Sequence, residues 1–182
     1  MPELNLAYKP SALKVVNNGH TVQVNYDAGS KATLATGAYD LVQFHFHTPS
    51  EEQVNGKSFD MVWHLVHKNA EGKLAVVAVL VKEGQANDVI GAIGPNLPKE
   101  TNKEAVVAGT TVDINKLLPA DRHYYHYQGS LTTPPCSEGV SWHVLKTPVE
   151  ASKAQIAQFK ALFGVNARPV QSLNGRKLQE SM

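Results

Sequence analysis

Two histidines and two carboxylates lie close together in the segment LVQFHFHTPSEE, residues 41–52. His45 and His47 alternate with apolar residues, a pattern that is typical of a β-strand. Residues two apart on a strand point to the same face, so both imidazoles can reach one metal ion. Glu51 follows at a spacing that could add an oxygen ligand. The segment therefore predicts a metal site, with a further ligand to be supplied from elsewhere in the chain.

A third histidine is predicted to come from the next strand. Asn55-Gly56 is a dipeptide suited to a two-residue hairpin turn. If the pairing is regular about that turn, His47 lies opposite His64, and His45 lies opposite Val66. Opposed residues in an antiparallel pair project from the same face, with their Cβ atoms close together. Three imidazoles should therefore converge, those of His45, His47 and His64.

Three neutral imidazoles with an open fourth position form a recognised catalytic zinc arrangement. Two other interpretations stay open at this point. Each histidine could simply be a partly buried strand residue with one hydrogen bond. Alternatively, His45-x-His47 followed by Glu51 resembles the first motif of the cupins, in which Glu51 would ligate the metal. No glycine-rich second motif with cupin spacing follows Gly56, and His67 has the wrong parity and should face away from the site.

The bulk composition is that of an ordinary globular protein. The chain has 182 residues, 42% of them hydrophobic and 18% charged, with a formal net charge of +1. We expect one domain over residues 1–182. No basic block favours nucleic acid or an anionic membrane surface. The longest apolar run, residues 74–81, is too short to span a bilayer, and the first residues lack the pattern of a signal peptide.

The elements that must position the histidines are mostly short strands broken by Gly, Asn and Pro. A hairpin signal surrounds Asn17-Asn18-Gly19. Further strands are predicted at residues 39–48, 59–68, 73–82, 123–130 and 139–148. Only two helices are indicated, a short one at 87–93 and one at 152–164, where Ser152 and Gln155 form a capping box. The chain is therefore predicted to be β-dominated with peripheral helices.

Four separated motifs resemble the α-class carbonic anhydrases, particularly the bacterial ones: QFHFHTPSEE, HLVHKN, GSLTTPPCSEGVSWHVL and NARPVQSLNGR. The likeness runs from about Leu4 to Arg176. It implies a mainly β (α+β) fold, with a large, twisted, mostly antiparallel central sheet and short peripheral helices. It also implies a zinc enzyme that interconverts CO2 and bicarbonate.

The resemblance implies a role for each polar residue of the site. The zinc ligands that it implies are the trio derived above, His45, His47 and His64. Gln43 would be the partner of the first ligand. Glu51 would not ligate the metal but would accept the hydroxyl proton of Thr132. Thr132 would then orient a zinc-bound hydroxide toward CO2, and zinc makes that hydroxide available by lowering the pKa of bound water to about 7, as is established for carbonic anhydrases.

The remaining site residues would handle the substrate and the proton. Thr132 and Thr133 would bind bicarbonate, and His20 matches the position of the family's proton shuttle. An apolar wall for CO2 is expected from Val66, on the metal face by the register argument, and by resemblance from Val76, Leu131 and Trp142. Sulfonamide and anion inhibitors, a possible homodimer and a periplasmic or secreted location are also expected.

The sequence departs from the family's pattern in two ways. Val62 stands where many members carry a Glu that accepts the free ring N–H of the third ligand, so we predict another acceptor for His64. The segment that precedes residue 1 in relatives would hold the disulfide partner of the cysteine matching Cys136, so we expect an amino-terminally truncated member with an unpaired thiol. An acatalytic binding module is therefore the alternative function.

Overall fold

The computed structural model describes all residues 1–182, and its central feature is one twelve-stranded sheet. The strands of this sheet are β1 (Asn5–Ala7), β2 (Ser11–Asn17), β3 (Val22–Asn25), β4 (Lys31–Leu34), β5 (Gly37–His47), β8 (Met61–Lys68), β9 (Leu74–Glu83), β10 (Glu104–Val112), β11 (Tyr124–Ser130), β12 (Glu138–Leu145), β13 (Val149–Ala151) and β14 (Gln179–Glu180). A separate hairpin contains β6 (Gln53–Val54) and β7 (Lys57–Ser58). Two α-helices, α1 (Asp88–Ile93) and α2 (Lys153–Phe163), and two 3-10 turns, Gly94–Asn96 and Ile114–Leu117, complete the fold.

The main path through the sheet runs β10-β2-β3-β5-β8-β9-β12-β11-β14. Strand β4 joins β1 to β5, and β13 pairs with β9. Strand β9 runs parallel to β12 and β13, whereas every other strand pair is antiparallel. The predicted fold class, a large and mostly antiparallel sheet with short helices, is confirmed.

The turns and caps follow from local sequence. Asn55 and Gly56 both have positive φ, 53° and 75°, as a two-residue hairpin turn requires. The hairpin between β2 and β3 also forms as predicted. Helix α2 begins with the predicted capping box, in which Ser152 accepts from the Gln155 N–H and the Gln155 side chain accepts from the Ser152 N–H.

The two central strands place apolar side chains on both faces of the sheet. Residues 61–67 of β8 and 75–81 of β9 are all buried, as expected for strands covered on both sides. One face carries a cluster of 31 buried residues, with Trp63 among its largest side chains. The other face carries a smaller cluster of eight, with Val66 and Trp142 among them. The histidines of interest lie on this second face. No helix is both long and apolar enough to cross a bilayer.

Two buried histidines on the first face predict sensitivity to acid. His67, which bonds to the Tyr8 hydroxyl, and His143 are both buried, and burial lowers the pKa of each to about 4. An unfolded histidine has a pKa of about 6.5, so the unfolded state binds more protons between these values. Their contribution to stability is therefore complete above pH 6.5 and falls as the pH drops toward 4, by about 3 kcal/mol for each residue.

We expect His143→Ile to make the free energy of unfolding less dependent on pH, because isoleucine has no group that titrates. Urea unfolding of the variant and of the unmodified protein, measured between pH 7 and pH 4, should show a smaller loss of unfolding free energy in the variant. His123→Gln, at an exposed position, is the control and should keep the original slope. Parallel curves for His143→Ile and the unmodified protein would contradict the prediction.

Candidate metal centre

The pairing of β5 with β8 brings three histidines together, although in a different register from the predicted one. The prediction that His47 lies opposite His64, and His45 opposite Val66, was wrong. His45 is the residue opposite His64, and His47 lies opposite Val62. The register differs by two residues, which preserves parity, so all three imidazoles still share a face. One ligand atom from each ring lies within 4.8 Å of the others.

The register differs because the hairpin contains two extra residues. The Ser50 N–H donates to the Phe59 carbonyl at 3.0 Å. The next pair, β6 with β7, begins three residues later on the first side but ends only one residue earlier on the second. The two residues in excess are Glu51 and Glu52, and they form a bulge beside the histidines. The hairpin that turns at Asn55-Gly56 is regular only beyond this bulge.

The first two histidines each have one ring nitrogen committed to an oxygen acceptor. Nδ1 of His45 lies 2.8 Å from Oε1 of Gln43, the partner that the resemblance implies. Nδ1 of His47 lies 2.9 Å from the backbone carbonyl of Asn166. Because these oxygens only accept, each Nδ1 carries the proton and each Nε2 keeps its lone pair. Nε2 of His47 is buried and has no hydrogen bond, as a nitrogen reserved for a metal would be.

The third histidine uses its other nitrogen. Nε2 of His64 lies 2.6 Å from Oε1 of Glu52, which leaves the Nδ1 lone pair free. Burial opposes protonation of His64, but the Glu52 carboxylate and then Glu51 outweigh it and raise the pKa of this imidazole. The pKa of His45 lies well below its ordinary value because of burial and of the two neighbouring imidazoles. We predicted that His64 has an acceptor other than residue 62, which is a valine, and that acceptor is Glu52.

Glu51 connects the histidines to the loop after β11. Its Oε1 accepts from the Thr132 hydroxyl at 2.8 Å, and its Oε2 accepts from the Arg168 N–H at 3.1 Å. Burial favours the neutral acid, but the proximity of the His47 and His64 imidazoles and the hydrogen bond from the Thr132 hydroxyl outweigh it, so the pKa of Glu51 is lowered. An ionised Glu51 has no proton to give, so the Thr132 hydroxyl must donate to it. The Thr132 oxygen is thereby left as an acceptor.

Oε1 of Glu51 also lies 2.7 Å from Nε2 of His47. This contact is not a hydrogen bond, and Nε2 of His47 has no hydrogen-bond partner. Glu51 therefore borders the space that the three lone pairs share, while both of its oxygens are occupied by Thr132 and Arg168. The group of residues that could hold a metal contains the three histidines alone.

Apolar side chains line the sheet beside the histidines. Val66, Val76 and Trp142 are buried in the smaller cluster, and Leu131 packs against it. The Trp142 ring meets the His64 ring edge to face, with centroids 4.8 Å apart. The Trp142 Nε1–H donates to the Ser130 carbonyl at 3.0 Å, so no unpaired polar group of this ring faces the site. The other members of the cluster were not predicted to line the site; they are Val62, Ala78, Leu80, Val140 and Val144.

The other predicted residues take positions around this centre. Thr133 is half-buried, and its carbonyl accepts from the Cys136 N–H at 2.9 Å, which tightens the loop. Cys136 is a free thiol. His20 is exposed in the turn between β2 and β3. His67 faces away from the metal histidines and bonds to the Tyr8 hydroxyl at 2.7 Å, as its parity predicted.

Asn166 was not singled out in the sequence, yet it connects three parts of the site. Its backbone carbonyl bonds to His47, and its Oδ1 accepts from the Thr48 N–H at 2.7 Å. Its Nδ2 donates to the carbonyls of His20, at 3.0 Å, and of Phe46, at 3.2 Å. The NARP motif contains this residue, but neither its spacing nor its composition indicates a contact with a histidine strand.

Comparisons with known proteins agree with this geometry. The family model described as eukaryotic-type carbonic anhydrase matches residues 1–182. A carbonic anhydrase of Nostoc sp. is 46% identical over 96% of this chain, which spans 66% of that protein, and one of Pectobacterium carotovorum is 45% identical over 95% of the chain and 71% of the relative.

Among solved structures, the α-carbonic anhydrase of Thermovibrio ammonificans in complex with the inhibitor sulfanilamide superposes with a TM-score of 0.93 at 41% identity, covering 98% of this chain and 79% of that one. A carbonic anhydrase of Chlamydomonas reinhardtii in complex with acetazolamide superposes with a TM-score of 0.94 at 36% identity, covering 100% and 83%. Motifs, sheet and site geometry thus lead to one assignment, which excludes the cupin interpretation: the chain belongs to the eukaryotic-type carbonic anhydrase family of enzymes.

Proposed function

We propose that the chain binds one zinc ion at His45, His47 and His64 and catalyses the reversible hydration of CO2 to bicarbonate and a proton. The observation that supports this most directly is the set of three imidazole lone pairs converging within 4.8 Å, each on a ring whose other nitrogen is held by an oxygen. Zinc, when bound, supplies a coordinated water with a pKa of about 7, as is established for carbonic anhydrases.

The hydrogen bonds of Glu51 and Thr132 support a role in orienting the nucleophile. Because the Thr132 proton is committed to Glu51, the Thr132 oxygen can only accept a hydrogen bond from a group beside the histidines. A nucleophile that donates a hydrogen bond to the Thr132 oxygen would have its lone pair directed away from Thr132, toward the apolar wall. The Arg168 N–H on Glu51 holds the carboxylate in place for this purpose.

The apolar wall and the exposed histidine complete the proposed cycle. CO2 has no net dipole and loses little on leaving water for a wall formed by Val66, Val76, Leu131 and Trp142. Bicarbonate would be held by Thr132 and Thr133 as it forms. His20 would pass the released proton to buffer, and its turn is tied through Asn166 to the residues around His47. Inhibition by sulfonamides and anions, a homodimer and a periplasmic or secreted location stay predictions.

The first test combines metal analysis with stopped-flow CO2 hydration. We expect one zinc per chain and hydration that acetazolamide blocks, because three oriented nitrogens make a zinc site. His64→Ala should lose both properties. His123→Ala, which removes an exposed histidine outside the site, should keep both. A folded, unmodified protein with neither zinc nor acetazolamide-sensitive hydration would contradict the proposal and favour an acatalytic binding module.

A second test addresses Glu51 and Thr132. We expect Glu51→Gln and Thr132→Ala each to lower kcat/KM by about 100-fold. Thr132→Ala removes the hydroxyl, and Glu51→Gln replaces the carboxylate by an amide that can also donate, so the direction of the Thr132 hydrogen bond is no longer fixed. Zinc content should stay at one per chain. The double variant should be about as slow as either single one, since the two residues act as a unit.

Two matched variants serve as controls for this second test. Glu138→Gln, an exposed position on β12, should be neutral. Thr132→Ser keeps the hydroxyl and should retain most of the activity. Additive losses in the double variant, or full activity in Thr132→Ala, would contradict the proposed orientation.

A further inference from the structure

We infer that Glu52 is a positioning residue for the metal centre, which holds His64 as the third ligand and contributes to retention of the metal. The inference rests on the proposed function, since it concerns the same zinc site. The two side chains lie side by side, with Oε1 of Glu52 2.6 Å from Nε2 of His64. They are nearly inaccessible to water, with 9% and 1% of their side-chain surface exposed. The contact is therefore shielded from bulk solvent.

Neither Val62 nor Trp142 can take this role. Val62 precedes His64 by two residues and shares its face of the sheet, but its buried isopropyl group offers no acceptor. Trp142 packs edge to face with the His64 ring and donates its own N–H to the Ser130 carbonyl. Without Glu52, the Nε2–H of His64 would be a buried donor without a partner, or the ring would exchange its proton to Nδ1 and lose its metal-binding lone pair.

The charge of Glu52 points to a cation at the site as well. Its second oxygen, Oε2, is buried and has no hydrogen-bond partner. A buried carboxylate with an unpaired oxygen is costly unless a positive charge lies close by. Glu51 and Glu52 together carry two negative charges beside three imidazoles. One divalent cation held by those imidazoles would balance both carboxylates.

The bulge explains how the residue reaches His64. A regular hairpin would place residues 51 and 52 in the ladder with alternating side chains, so only one of them could face the histidines. Because both residues are extra relative to the partner strand, Glu51 reaches Thr132 while Glu52 reaches His64. A single local insertion thus supplies two carboxylates with separate tasks.

The test measures release of zinc from the loaded protein to excess chelator, a readout that does not depend on turnover. We expect Glu52→Leu, which removes the acceptor, to release zinc about 10- to 100-fold faster than the unmodified protein, and Glu52→Gln, which keeps an uncharged acceptor, about 10-fold faster. Val62→Glu in the Glu52→Gln background places a carboxylate on the same face as His64 and should restore slow release. Glu138→Gln is the matched control and should leave the rate unchanged.

A second readout uses the metal-free protein, so it stands even if zinc does not bind. At a pH high enough for neutral rings, nitrogen-15 spectra of the imidazoles should show His64 with its proton on Nε2 in the unmodified protein, and a mixture of tautomers in Glu52→Leu. Unchanged zinc release in both single variants, or an unchanged His64 tautomer in Glu52→Leu, would overturn the inference. A protein that takes up no zinc at all but shows the tautomer change would refute the proposed function and leave the positioning role of Glu52 standing.

Discussion

The constraint on which the site depends is that each of its three imidazoles has one nitrogen held by an oxygen that only accepts. The amide of Gln43, a backbone carbonyl and the carboxylate of Glu52 supply these oxygens. Neutral imidazole has one proton, so each contact decides which nitrogen keeps a lone pair. If any of the three contacts were lost, the ring could rotate or change tautomer, and the convergence of lone pairs would fail. The strands bring the rings together, and the acceptors make them ligands.

These acceptors come from three separate parts of the chain. Gln43 shares the strand of His45, Glu52 lies in the adjoining bulge, and Asn166 follows α2 at a distance of 119 residues from His47. The hydrogen bonds of Asn166 to Thr48, Phe46 and His20 tie the later segment to the end of β5. The local hairpin therefore supplies two of the three constraints, and tertiary contact supplies the third.

The sequence was sufficient to predict features that depend on local rules. The turn at Asn55-Gly56 and the capping box of α2 each follow from a few residues and were correct. The shared face of His45, His47 and His64 was also correct, because parity survives a shift of two residues. The register itself was wrong, because no local signal shows that residues 51–52 are extra to the ladder.

The partners of the histidines were predictable only in part. Gln43 was expected through resemblance, whereas Glu52 and Asn166 were not identified. An acceptor for His64 was expected. Because Glu51 and Glu52 are adjacent and of one type, the sequence does not indicate which of them bonds to His64 and which to Thr132. Asn166 is remote in the sequence, and its contact with His47 uses a backbone carbonyl, which any residue type would provide.

The most direct test of this arrangement is a crystal structure of the zinc-loaded protein with anomalous scattering measured at the zinc edge. We expect one zinc peak, bound by Nε2 of His45, Nε2 of His47 and Nδ1 of His64, with Glu51 still bonded to Thr132. Zinc bound through a carboxylate oxygen of Glu51 or Glu52, or through the opposite nitrogen of any of the three rings, would contradict the role assigned to the acceptors.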